Sequence, residues 1–300
     1  MRQVAIVGAG MTRFAKHIDR SMKDLTREAV EAALHSSGVE KHKLEAAAVG
    51  NAMAGLMTGQ ECIRGQVVLH DMGIGGIPVI NTENACASAA TAFHLAWLYV
   101  ASGMYDTVLA IGMEKLFHAD KSRSFEALGS AIDVELMQQT IAQMDEKVNM
   151  GERAGAGKSR SMFMDFYAEF ARDHMRTYGT TKEHYAKIAA KNHTNGSLNP
   201  YAQYQTPRTA EDVLAAPMIA DPLTRMMCSP IGDGAAAVVL TSADKAKQYT
   251  SKPVYVNASV VSSGQDHQPG EPGITERAAR KAYDWVIVDA PPIGGMADAL

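Results

Sequence analysis

The stretch Ala85–Met104 carries no formal charge, and it follows an apolar run, Ile77-Pro78-Val79-Ile80, that reads as a strand. A helix over Ala89–Val100 that is apolar on every side has to lie inside a protein or inside a membrane. Its Ala and Ser content, the presence of His94 and the lack of a basic flanking anchor predict a central helix packed between layers, not a membrane span. Around it, 46% hydrophobic and 21% charged residues fit a soluble globular chain. At 300 residues the chain is long enough for one large α/β domain or two smaller ones.

The junction between strand and helix is Asn81-Thr82-Glu83-Asn84-Ala85-Cys86-Ala87-Ser88-Ala89-Ala90. It sets Cys86 on the first turn of a buried helix. A helix N-terminus carries partial positive charge and free N–H groups, which favour a thiolate over a thiol. Such a thiolate is a nucleophile with oxyanion-stabilising donors beside it. The two other cysteines, Cys62 and Cys228, read as structural. An odd cysteine count without a CxxC pair argues against a disulfide framework or a zinc site, and for a reducing, cytoplasmic setting. The N-terminal Met1-Arg2-Gln3-Val4-Ala5-Ile6-Val7-Gly8 reads as a first strand and lacks the plan of a signal peptide. A net charge of −4 gives no electrostatic reason to expect nucleic acid or an anionic membrane surface.

The rest of the pattern is an alternation. Val4–Val7 is a short strand ending in Gly8-Ala9-Gly10. Met22–Ser36 has helical periodicity, stopped by Gly38. Ala46–Gly50 is a strand, Arg64–His70 a helix, Gly73–Gly76 a turn and Thr107–Ile111 another strand. This β-α-β order calls for a mainly parallel sheet with helices on its faces. From Glu114 to about Ala220 continuous apolar strands vanish. Helices are expected over 161–178 and, from the capping pattern Thr180-Thr181-Lys182-Glu183, to about Asn192. Asn195-Gly196 and Asn199-Pro200 read as loops. Sheet character returns at Gly232–Leu240, with a strand over Val254–Val261, a helix from Thr275 and a final strand from Trp285 before Pro291-Pro292.

Taken in order, these segments resemble the thiolase superfamily, and most closely the sterol-carrier-protein-type thiolases. The matching pieces are Val4-Ala5-Ile6-Val7-Gly8-Ala9-Gly10-Met11-Thr12, Asn84-Ala85-Cys86-Ala87-Ser88 and Ala110-Ile111-Gly112-Met113-Glu114-Lys115. They continue with Tyr178-Gly179-Thr180-Thr181, Lys191-Asn192-His193, Leu198-Asn199-Pro200-Tyr201-Ala202-Gln203, Pro217-Met218-Ile219-Ala220-Asp221-Pro222-Leu223 and Asp233–Leu240. The resemblance implies a thiolase-like fold, layered αβαβα, of two similar halves. The first half would be residues 1–114 and 221–248. A helical loop domain over 115–220 would cradle coenzyme A, and 249–300 would be an incomplete second half. It implies acyl transfer from acyl-CoA through a thioester on Cys86, in thiolysis or condensation, with coenzyme A as substrate, no other cofactor and no metal. It also implies a homodimer built through the first half. Two other readings stand beside it: a thiolase-like carbon–carbon lyase that needs a partner protein, and a non-catalytic acyl-CoA- or lipid-binding module.

Relatives draw their general base and a second cysteine from motifs of the second half, none of which stands in this sequence. Cys86 is thus expected to rely on the helix dipole and backbone donors, at a cost in rate. The last residues, from Asp284, resemble instead the acidic strand of bacterial P-loop tyrosine kinases, which predicts a truncated or hybrid chain with a seam near Tyr283–Asp284, bare apolar surface and strong self-association.

Further signals read more plainly. Gly8-Ala9-Gly10 lacks the third glycine of a dinucleotide fingerprint, Arg13 standing in its place, and reads as an ordinary strand-end turn. Gly151–Ser159 misses phosphate-loop spacing by one residue and reads as a Gly-rich loop near the coenzyme A entrance. His94 lies about 12 Å along the helix from Cys86, too far for direct proton transfer, and reads as a satisfied core histidine. His118, His174, His184 and His193 read as surface or cap residues, and His267 as a minor candidate for a base. Lys121, Arg123 and Lys158 read equally as candidates to meet coenzyme A phosphates and as a solvated basic face. Met162, Met164 and Met175 read as packing. Ala89 stands where relatives usually carry Gly, so its methyl is expected to narrow the approach to Cys86.

Overall fold

The computed structural model describes residues 1–135, 160–265 and 271–289. The apolar runs of the first 114 residues form strands β1 (Val4–Met11), β2 (Ala46–Gly50), β3 (Val79–Thr82) and β4 (Thr107–Glu114). Between them lie helices α1 (Met22–Ser37), α2 (Ala54–Thr58), α3 (Arg64–Asp71) and α4 (Ser88–Ala101). Helices α5 (Lys121–Gly129), α6 (Phe163–Tyr178), α7 (Lys182–Ser197) and α8 (Ala210–Ala215) follow, then a short hairpin of β5 (Met218–Ala220) and β6 (Leu223–Thr224). The chain then returns to the sheet as β7 (Gly234–Ser242), and α9 (Ala243–Ala246), β8 (Val254–Val256) and α10 (Ile274–Asp289) complete the described residues.

The main sheet has the order β3-β2-β4-β7-β1-β8. Strand β2 is parallel to β3 and to β4, whereas β7 runs antiparallel to both β4 and β1, and β8 antiparallel to β1. Strands β1 to β4 therefore all point one way, as the alternation predicts, and β7 and β8 point back. Strand residues alternate between two cores. Leu109, Ile111 and Val239 pack with Leu25, Ala29 and Leu69 under α1 and α3, while Val108, Ala110 and Leu240 pack with Ala92, Ala96 and Val100 under α4. Burial on both faces is why these strands read as continuous apolar runs, each fully buried Val or Leu contributing roughly 1.5–3 kcal/mol.

Several expectations are corrected. Gly8-Ala9-Gly10 is no turn: β1 runs on to Met11, with a register shift between Ile6 and Gly8. Its glycines admit α1, since a Cβ on Gly8 would lie 2.4 Å from the Ala33 carbonyl oxygen and one on Gly10 2.3 Å from that of Ala29. Helix α7 continues through Asn195-Gly196 to Ser197. The strand expected over Val254–Val261 pairs only at Val254–Val256, where β1 offers partners Val4–Ile6. Trp285–Asp289, expected as a strand, continue α10, whose first turns hold Ala278, Ala279 and the Glu276–Arg280 ion pair at i,i+4. Finally, α4 is covered on one face. Ala92, Ala96, Trp97 and Val100 are buried on the sheet, but Phe93, Leu95, Leu98 and Tyr99 are only partly buried. Among the described residues no second large sheet lies on that outer face, and no helix is long and apolar enough to cross a membrane. The Gly151–Ser159 loop, Lys158, His267 and residues 290–300 lie outside the described residues.

Candidate active site

Because β2, β3 and β4 are parallel, their C-terminal ends emerge at one edge of the sheet, the edge at which open α/β sheets bind ligands. They deliver Asn51 to Met53, Glu83 to Cys86, and Lys115 to Leu116. The start of α4 is pressed onto these ends. A Cβ on Gly50 would lie 2.4 Å from the Ser88 carbonyl oxygen, and one on Gly112 would lie 2.4 Å from Ala89 Cβ. The Ala89 methyl therefore points down onto β4 at a place kept clear by Gly112.

Cys86 stands in a short 3-10 turn, Ala85–Ala87, that leads directly into α4, and it is exposed. The turn is tightly tied. Ala85 adopts a left-handed φ of 43°, uncommon for a residue with a Cβ. Ser88, 4% exposed, donates through Oγ to the Ala85 carbonyl oxygen (2.7 Å) and accepts there from the Asn84 amide (2.9 Å). A Glu83 carboxylate oxygen accepts from the Ala85 amide (2.5 Å). The Ala87 amide donates to the Asn84 carbonyl oxygen (2.8 Å). The bonds that close the turn thus use the amides of Asn84, Ala85 and Ala87 and leave out that of Cys86.

Two cavities meet at Cys86. The larger, about 1220 Å³, lies between the strand ends and the inserted helices, with Phe125, Phe163, Tyr167, Tyr185, Tyr204 and Ile231 among its walls. The smaller, about 470 Å³, lies on the α4 side of the sheet, walled by Phe14, Asn51, Ala89, Phe93, Gly112 and Glu114. Cys86, Met53, Leu116 and Leu128 line both.

Buried polar groups brace this junction. Asp233, fully buried, accepts from Lys115 Nζ (2.8 Å) and from the amides of Leu116 (2.8 Å), Phe117 (2.7 Å) and His17 (3.2 Å). Glu114 accepts from Asn51 Nδ2 (3.1 Å) and from the amides of Ala52 (3.2 Å), Met53 (3.2 Å) and Lys115 (3.1 Å). Sequence reasoning passed over Asn51 and assigned no task to Glu83, Glu114 or Asp233. The only signal for the last two was their place in the quoted segments Ala110–Lys115 and Asp233–Leu240.

The histidines fall into place. His184 Nδ1 accepts from the Thr181 amide (3.1 Å) in a helix cap and His174 Nδ1 meets Thr180 Oγ1 (2.8 Å) at the surface, yet both also line the larger cavity. Cys228 lines it too. Its Sγ donates to the Thr224 carbonyl oxygen (3.4 Å), and burial pushes its thiol pKa up, so it is a poor nucleophile. Cys62 is exposed, which removes the packing role expected of it. His94 is half-buried, with Nδ1 3.0 Å from Ser259 Oγ, and burial lowers its pKa. Met164 is a wall of the larger cavity. Lys121 and Arg123 reach neither cavity; Arg123 Nη1 faces His118 Nε2 at 3.2 Å. Among the described residues no group of His, Cys, Asp and Glu is placed to hold a metal ion.

The family model for the thiolase N-terminal domain matches residues 4–244. The chain is 40% identical over 265 residues to an acetyl-CoA acetyltransferase of Methanothermobacter thermautotrophicus, covering 88% of this chain and 63% of that protein. It is 35% identical over 254 residues to sterol carrier protein 2 of Gallus gallus, covering 84% and 43%. The chain thus spans less than two thirds of the length of either relative. Among solved structures, the Ltp2-ChsH2(DUF35) aldolase is similar with a TM-score of 0.62 and 26% identity, over 84% of this chain and 58% of that one.

Proposed function

The chain belongs to the thiolase family, with residues 4–244 as its N-terminal domain, and on that premise we propose that it is an acyltransferase that takes acyl groups from coenzyme A thioesters onto Cys86. The observation that carries this reading is the exposed Cys86 sulfur at the head of α4, where two cavities meet. The thiolate attacks the thioester carbonyl carbon, the carbon–sulfur bond to coenzyme A breaks, and the acyl group stays on Sγ. A second coenzyme A then removes it, or an acyl-CoA enolate does, in thiolysis or condensation. The larger cavity, roofed by the inserted helices of residues 115–220, takes the pantetheine arm, and residues 1–114 and 221–248 form the sheet domain that carries the nucleophile. We assign the chain to lipid metabolism in the cytoplasm, a setting supported by its three free cysteines.

Incubation with acetyl-CoA followed by intact-mass measurement tests this. An acetyl adduct is expected on the wild type and not on Cys86→Ala; an adduct that survives the substitution overturns the assignment. Likeness to the aldolase favours one second reading, a carbon–carbon lyase working with a partner protein. That reading predicts acyl-CoA binding without an adduct.

A further inference from the structure

Three observations around Cys86 converge on Glu83. First, Ala85 holds a φ of 43°, a region that disfavours any residue with a Cβ. Second, the two bonds that fix Ala85 come from different directions: Ser88 Oγ holds its carbonyl oxygen and a Glu83 carboxylate oxygen holds its amide. Third, Ser88 is buried and anchored to the Asn84 amide, whereas Glu83 is exposed and folds back onto the turn. An exposed glutamate normally stays solvated, because ordering it costs side-chain entropy. Here its carboxylate occupies the amide immediately before the nucleophile.

We propose that Glu83 is a positioning residue for acylation, its carboxylate holding Ala85 in the left-handed conformation that sets Cys86 at the junction of the two cavities. The proposal rests on the reading of Cys86 as the acylated residue. It assigns Glu83 no contact with substrate and no proton transfer. Because the clamp is a hydrogen bond to an uncharged amide, a glutamine oxygen can replace the carboxylate. Because the bond offsets the strain of a Cβ at positive φ, glycine at position 85 makes it less necessary.

Three variants of the full chain decide it: Glu83→Ala, Glu83→Gln, and Glu83→Ala combined with Ala85→Gly. Acetylation of Cys86 is timed by intact mass, and hydrogen exchange of a peptide spanning Glu83–Ser88 is followed in parallel. Glu83→Ala is expected to slow acetylation by on the order of tenfold, matching the strain left unsupported, and to speed exchange of the turn amides, with the melting temperature little changed. Glu83→Gln is expected to keep protection and to acetylate about as fast as the wild type, since the amide oxygen accepts the same hydrogen bond from Ala85. The double variant is expected to recover most of the rate. A Glu83→Ala protein with unchanged exchange, or with unchanged acetylation, overturns the proposal, as does a Glu83→Gln protein as slow as Glu83→Ala. A wild type that takes no adduct on Cys86 overturns the nucleophile reading, and the proposal with it; a wild-type adduct with an indifferent Glu83→Ala overturns the proposal alone.

Discussion

One hydrogen atom on Gly112 matters more than its size suggests. Replacing it with a methyl sets two Cβ atoms 2.4 Å apart, so either β4 or the head of α4 must shift. Gly112→Ala is expected to destabilise the protein by about 1–3 kcal/mol in denaturant titration, as overpacking does. Adding Ala89→Gly is expected to restore most of it, because the colliding atom is removed. Two losses that simply add would show that Ala89 does not seat there. The Ala89 methyl, set against the sheet at Gly112, is at the same time part of the wall of the smaller cavity that Cys86 also lines. Asp233 presents the opposite case, a buried anion with four donors. Asp233→Ala takes the counter-ion from Lys115 beside the junction and is expected to cost roughly 3–5 kcal/mol, read as a lowered denaturant midpoint. Cys86 was legible in the sequence because a cysteine between an apolar run and an uncharged helix has few places to go. Its braces were not. Glu83, Asn51 and Glu114 look like ordinary polar residues at strand ends until three parallel strands bring their ends together.

Helix α4 shows what a pattern can and cannot say about an element. Its uncharged length fixed its existence to within a residue at each end, yet the pattern could not say which faces would be covered, because burial depends on what packs against them. The misread elements share that cause. Val260 and Val261 have strand propensity, but the segment Asn257–Val261 finds no further partner along β1, which propensity alone cannot register. Trp285–Asp289 continue a helix already begun, and β-branched residues give way to that. Gly8 and Gly10 punctuate a helix contact, not a turn. What secures α4 to the segment after β8 is the His94–Ser259 hydrogen bond, and here pH enters. Burial holds the His94 pKa below the histidine range; the bond to Ser259 raises it somewhat, and Lys281 lowers it. The native state therefore prefers neutral imidazole. As pH falls through about 6.5, the unfolded chain takes up a proton that the native chain resists, and stability falls. The loss levels off once pH passes below the native value. His94→Gln keeps a hydrogen-bonding side chain without a titrating group. Its melting temperature is expected to fall less between about pH 7.5 and pH 5 than that of the wild type. Parallel curves would remove His94 as a source of the slope.

The sheet as a whole has two ends, and they differ. At one, β8 is a short strand of three residues. At the other, among the described residues, β3 pairs only with β2, and no strand follows on its second edge, where Gln66 Nε2 donates to the Val79 carbonyl oxygen (3.1 Å). Ile80, in the middle of that strand, is 40% exposed. An edge strand with an apolar centre and no charge is a template for another strand. The same strand on a second copy, related by a two-fold axis, is a self-complementary partner, because a contact from residue i to residue j is repeated from j to i. It would also join two sheets beside the turns that carry Cys86, since each β3 ends at Thr82, four residues earlier. The expected species in solution is therefore a homodimer, with a mass by light scattering of about twice 32.2 kDa. Ile80→Lys is the discriminating change. At so exposed a position it costs the single chain little, within about 0.5 kcal/mol, while a dimer brings two ammonium groups together at its centre. It should give a folded monomer with an unchanged circular-dichroism spectrum. A wild type that elutes at the mass of one chain, or an Ile80→Lys protein that still pairs, would place the interface elsewhere.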